Sequence, residues 1–148
     1  MLDPKKVDDL ISEFEHTPEL EMSRLINMRR ELSSQHYWYT KILADVAKVQ
    51  RVTRAQRKAS FSKLVSRFSE TESSNAAARA KSENDEHYRD LYAKEYEYEG
   101  REKAGVRICD AIKKVLEGMS QEIAILRDEL KYDRFTSADT KRDNAHQY

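Results

Sequence analysis

The chain has 148 residues, 36% of them charged, with 27 Lys and Arg offset by 27 Asp and Glu. That length suits one ordinary domain, and the charge content stands above the roughly 25% of an average globular protein. One Cys allows neither an intrachain disulfide nor a cysteine-based metal site, and no stretch approaches the roughly 20 apolar residues of a membrane-spanning helix.

Three Gly and two Pro leave few turns. The remainder is rich in Ala, Glu, Lys, Arg, Gln and Leu, which favour helix. The expected fold class is all-α: a long antiparallel helical hairpin with short N-terminal helices and a C-terminal coiled-coil oligomerisation helix. Long polar helices bury little core of their own, so association with further copies is expected. Lone Cys109 suits a reducing cytoplasm, and with no apolar run after a basic start, no signal peptide is expected.

Residues 1–34 read as an N-terminal helical segment. Asp3 is placed to cap a first helix, Pro4 occupies its first position, and Val7, Leu10, Ile11 and Phe14 form one stripe. The same device is expected to restart helix at Thr17 and Pro18, with Leu20, Leu25, Ile26 and Leu32 carrying an apolar face to a break at Ser33 and Ser34. Residues 35–135 then read as the hairpin. One helix runs from about Gln35 to Ser69, followed by the polar linker "SETESSNAAARAKSEND" with Ser73 or Ser74 as a new cap. A second runs from near Glu83 to near Phe135. Residues 136–148 lack apolar periodicity and are expected to form a disordered tail.

Ile112, Leu116, Met119, Ile123, Leu126 and Leu130 are spaced 4, 3, 4, 3, 4, the heptad seam of a coiled coil. Glu122 and Glu129 flank it. This seam serves either self-association or an amphipathic helix packed inside one monomer.

Between Val46 and Ser69 stand Lys48, Arg51, Arg54, Arg57, Lys58, Lys63 and Arg67, with no Asp or Glu among them. At about 100° per residue, Lys48, Arg51, Arg54 and Lys58 share one side of a helix, while Ile42, Val46, Val49 and Leu64 fall opposite. A stripe of one sign repels itself and is relieved by neutralising phosphates and releasing their counterions. Arg also offers a planar fork for phosphate oxygens or a plane for stacking. The competing reading pairs this stripe with the returning helix, since Glu70–Glu99 holds nine acids and four bases. Tyr37, Trp38 and Tyr39 before the run, and Tyr88, Tyr92, Tyr96 and Tyr98 on the acidic stretch, fit helix packing or base stacking.

Chemistry-bearing constellations are missing from the pattern. His16, His36, His87 and His146 form no ligand set, Asp85, His87 and Asp90 are an unremarkable triplet in so charged a helix, and Gly100, Gly105 and Gly118 are isolated. No catalytic residue, metal site or cofactor is expected, and the chain is read as a non-enzyme.

The stretches "LISEFEHTPELEMSRL", "ELSSQHYWYTKILADV" and "VLEGMSQEIAILRDELKYDRFTSAD" resemble the UvsY family of recombination mediators of T4-type bacteriophages. The likeness runs from about Ile11 to Asp139 and rests on diffuse helical patterns. It implies a helical homo-oligomer, a ring of six or seven copies joined through the C-terminal helix, in the cytoplasm of an infected bacterial host. It further implies binding to single-stranded DNA, to a RecA-like recombinase and to the phage single-strand-binding protein, so that recombinase is loaded on coated strands in recombination, repair and replication. In the family a Lys-x-Arg pair followed by aromatics serves DNA binding. Lys63 stands at the Arg position and Phe68 near an aromatic one, but Phe61 occupies the Lys position, so Arg54, Arg57 and Lys58 are expected to take part of that role. The alternative from a different class is a non-enzymatic coiled-coil scaffold or chaperone in phage assembly. A third is a protein-only adaptor docking through the acidic tyrosine stretch.

Overall fold

A computed structural model of the chain describes residues 1–145, with side chains described as far as Ala138. The fold is all-α, with helices α1 (Pro4–His16), α2 (Met22–Ser69), α3 (Asn75–Glu83) and α4 (Glu86–Ala145), and no strand among the described residues. α2 and α4, of 48 and 60 residues, are the long packed pair.

Local chemistry sets most of the helix ends. Asp3 accepts the Lys6 amide at 3.1 Å, and Pro4 is the first helical residue of α1. Thr17 ends α1 in an extended conformation, as the residue before a proline prefers, and its amide caps the Glu13 carbonyl. The expected restart at Thr17 and Pro18 is therefore corrected: residues 17–21 connect, and α2 begins at Met22. The expected break at Ser33 and Ser34 is also absent, because serine only mildly disfavours helix and no Pro or Gly is nearby. Beyond α2, Thr71 and Glu72 both donate to the Phe68 carbonyl, and Ser74 caps α3 through the Ala77 amide. Asp85 accepts the Tyr88 amide at 3.0 Å, which starts α4 three residues after the expected point.

The expected disordered tail is corrected as far as the structure reaches. α4 continues to Ala145, with the Thr136 hydroxyl on the Tyr132 carbonyl and the Ser137 hydroxyl on that of Asp133. Lack of apolar periodicity removes a packing face but breaks no helical hydrogen bond. Residues 146–148 of that tail lie outside the described residues.

The chain divides into two compact units, one made of Met1–Trp38 with the chain from Cys109 onward, the other of Tyr39–Ile108. In the first, Val7 and Leu10 from α1, Leu25, Met28 and Leu32 from α2, and Ile112, Met119 and Ile123 from α4 are buried. Shortening such a side chain removes transfer energy and leaves a cavity. Leu25→Ala is expected to cost about 2–5 kcal/mol in a urea melt. α1 is further fastened by a two-bond fork from Arg24 to Glu13, at 2.8 and 2.6 Å, which holds the Glu13 carboxyl below its ordinary range. Gln35 draws in the N-terminus, accepting the Asp3 amide and donating to the Met1 carbonyl.

The second unit holds the antiparallel stretches of α2 and α4 together with α3. Leu43 approaches Gly105 so closely that an added Cβ would lie 2.9 Å from its Cδ1. Gly100 is different: a Cβ added there would meet nothing within 4 Å, and the residue sits inside α4. Gly100→Ala is therefore expected to raise thermal stability by about 0.5–1 kcal/mol, by removing backbone entropy from the unfolded chain.

Candidate nucleic-acid interface

α2 carries the whole basic run, and its pairing with α4 sorts the cations into two groups. Arg54 and Arg57 turn toward α4 and converge on Glu95, which is only 7% exposed. Arg54 Nε lies 2.9 Å from Oε1, and Arg57 Nε donates to Oε2. The Arg57 hydrogen bond holds the Glu95 carboxyl below its ordinary range, against burial that pushes it up, with Arg54 adding to the lowering. The same bond raises Arg57. Tyr88 and Tyr92 complete the setting: Arg57 Nη1 is 3.5 Å from the Tyr88 hydroxyl, and its guanidinium stands 5.5 Å from the Tyr92 ring centre.

Lys48, Arg51, Lys58, Lys63 and Arg67 form the second group. All five are exposed, and among the described residues none has an ion-pair partner. The competing readings of the basic run are thus divided between residues: two arginines are engaged by a carboxylate of α4 and five cations remain open.

The side of α2 turned to α4 differs from the expected one. Gln50 and Thr53 are buried at 5% and 3% exposure, and Arg57 is half-buried one turn on. Ile42 and Val49, expected to pack, are 42% and 39% exposed, while Val46 and Leu64 are half-buried as that face required. Reach of Arg57 to Glu95 and closeness of Leu43 to Gly105 rotate the helix away from its apolar count.

Two grooves flank the helix pair. One, of about 620 Å³, is lined by Lys63 and Arg67 of α2 and by His87 of α4, with Gln56 and Ser60 between them and no carboxylate. The other, of about 580 Å³, mixes signs: Arg51 and Arg54 face Lys103, Arg107, Glu99 and Glu102. Lys103 holds Glu99 at 2.9 Å along α4, and that bond lowers the Glu99 carboxyl. Lys103 and Arg107 are not singled out by sequence, and His87 enters there only in the search for ligand sets and catalytic triplets. Their signal lies in antiparallel register, which sets residues 87 and 103 opposite the two ends of the basic run.

The aromatic residues mostly pack. Phe61 and Tyr88 have ring centres 5.2 Å apart, Arg79 lies over Phe61, and Lys81 over Phe68. Phe61 and Phe68 are thereby occupied within the unit. Tyr92 and Tyr96 keep 55% and 73% exposure.

The six-residue heptad seam is divided as well. Ile112, Met119 and Ile123 belong to the core of the first unit, Leu116 and Leu126 are half-buried, and Leu130 is 47% exposed. Ile125, Tyr132 and Phe135, outside the expected seam, are exposed too. Leu126 and Ile125 line a groove of about 400 Å³ with Leu20, rimmed by Glu19, Glu122 and Glu129.

Among the described residues no cluster of His, Cys, Asp or Glu could hold a metal ion, and no helix is long and apolar enough to cross a membrane. Of the two grooves beside α2, one is lined by cations without a carboxylate and the other by both signs. Compared with protein-family models, curated proteins and solved structures, the chain matches none.

Proposed function

We propose that the chain is a recombination mediator: it binds single-stranded DNA as a homo-oligomer and promotes loading of a RecA-like recombinase onto strands coated by single-strand-binding protein. The observation that carries the reading is the open group of five cations on α2, two of which line a groove free of carboxylate. Such a surface neutralises phosphates without reading base sequence, as a mediator requires. The resemblance to the UvsY family supplies the recombinase and the binding protein as partners, and the cytoplasm of an infected bacterium as the setting.

Self-association in this reading uses the part of α4 that the monomer leaves uncovered, Leu130 with Ile125 and Phe135, beside half-buried Leu126, since Ile112, Met119 and Ile123 are already internal. Summed weak contacts from several copies then hold one strand. The test is a strand-exchange assay with coated strands, in which the chain shortens the lag before recombinase filaments form. Ile125→Glu with Leu130→Glu, both at exposed positions, is expected to reduce the solution mass to that of a monomer and abolish the stimulation. Stimulation by a monomeric variant equal to that of the parent would refute the multivalent mechanism.

The same exposed apolar residues favour the second reading, a coiled-coil scaffold or chaperone in phage assembly. It predicts self-association without strand binding.

A further inference from the structure

The geometry points to a phosphate-class oxyanion site in the first unit, built from Arg29 of α2 with Ser120 and Arg127 of α4, apart from the basic run. These three side chains line a pocket of about 240 Å³ whose apolar wall is Ile26 and Ile123. No carboxylate lines it, in a chain whose acids equal its bases. Helical spacing explains why. The residues three and four positions from Arg29 are Leu25, Ile26, Leu32 and Ser33, and those around Arg127 are Ile123, Ala124, Leu130 and Lys131. Neither arginine has a carboxylate where a helix would place a partner.

Ser120 makes the pocket more than two solvated arginines. Its hydroxyl donates to the Leu116 carbonyl at 2.9 Å and accepts Arg29 Nε at 2.8 Å. The serine is thus fixed by the helix, and Arg29 is fixed by the serine. With Nε engaged, the Nη1 and Nη2 edge stays free, and that edge meets two oxygens of a phosphate at once. Holding the side chain beforehand lowers the ordering cost of binding. A second guanidinium on the same pocket completes a site for a dianion, and Ile123, 6% exposed, keeps one wall dry. Ser120 acts as a positioning residue, through Arg29.

The phosphate has two sources, a strand's backbone or a free phosphate compound. The site does not rest on the strand-binding reading, because the second source needs no strand. Calorimetry with pyrophosphate, and salt titration of oligothymidylate binding, separate them on the full chain. For a free compound, pyrophosphate binds the parent and is weakened about tenfold or more in the Arg29→Gln, Arg127→Gln variant, as loss of a charged hydrogen bond implies, while the oligonucleotide salt slope is unchanged. For a strand phosphate, the same variant makes that slope shallower by about 0.7, for the one phosphate the pocket holds. Ser120→Ala keeps both charges and is expected to weaken the same ligand several-fold. Arg29→Lys with Arg127→Lys keeps charge but loses the fork, and weakens it likewise should the Gln variant not fold. Equal pyrophosphate affinity and equal salt slope in parent and variants would overturn the site.

Discussion

Glu95→Gln is expected to destabilise the protein and tighten its hold on single strands at the same time. The carboxylate is buried and accepts from two guanidiniums, Arg54 and Arg57. Removing its charge leaves two arginines side by side with one neutral acceptor. The cost lies toward the low end for a broken ion pair, about 2–3 kcal/mol, because the Arg54 side chain keeps 46% exposure and can turn to water. The melting temperature should fall by about 5–10 °C. Strand affinity should rise, by up to about 25-fold at 0.1 M salt, as both guanidiniums become available to phosphates. A purely structural role for the pair would give the first effect without the second.

The same pair makes a pH signature. Glu95 is lowered in the folded state, chiefly by Arg57. Its contribution is therefore complete above the ordinary carboxylate range and lost as pH falls through the lowered folded value. Stability curves of the parent and Glu95→Gln, separated at neutral pH, are expected to converge in acid.

How far these features could be read from sequence depended on how local their causes are. Asp3, ahead of Pro4, and Ser74 each cap a helix through a bond to the residue three positions on, and sequence spacing contains all of that. Ser33 and Ser34 are weak helix formers but not breakers, and the stretch after Phe135 lacks an apolar face but no helical hydrogen bond, so neither stops a ladder that Pro or a competing cap would end. The heptad from Ile112 to Leu130 was visible, but its occupant was not. An apolar stripe is the same whether it meets α1 and α2 of its own chain or a second copy. Glu95 was hidden among nine acids between Glu70 and Glu99. Its role follows only from the register that brings residues 54 and 57 to 95, and that register is a property of the packed pair.

The second large effect concerns the open cations. Arg51, Lys63 and Arg67 line the two grooves and carry no ion-pair partner among the described residues. Changing all three to Gln removes three phosphate contacts per chain. At roughly 0.7 in the log–log slope for each, binding at 0.1 M salt should weaken about a hundredfold. Because all three are exposed, the melting temperature should stay within about 2 °C of the parent. The pair of results is informative: loss of affinity with unchanged stability belongs to an interface, and loss of both to a folding element. An unchanged affinity would move the strand off both grooves.

The five open cations of α2 are the groups expected to meet phosphates. Titrating salt against the parent chain bound to oligothymidylate measures this directly. Five exposed cations at roughly 0.7 each predict a log–log slope of about −3.5 for each chain engaged. A slope near zero, or no binding at 50 mM salt or below, would contradict it.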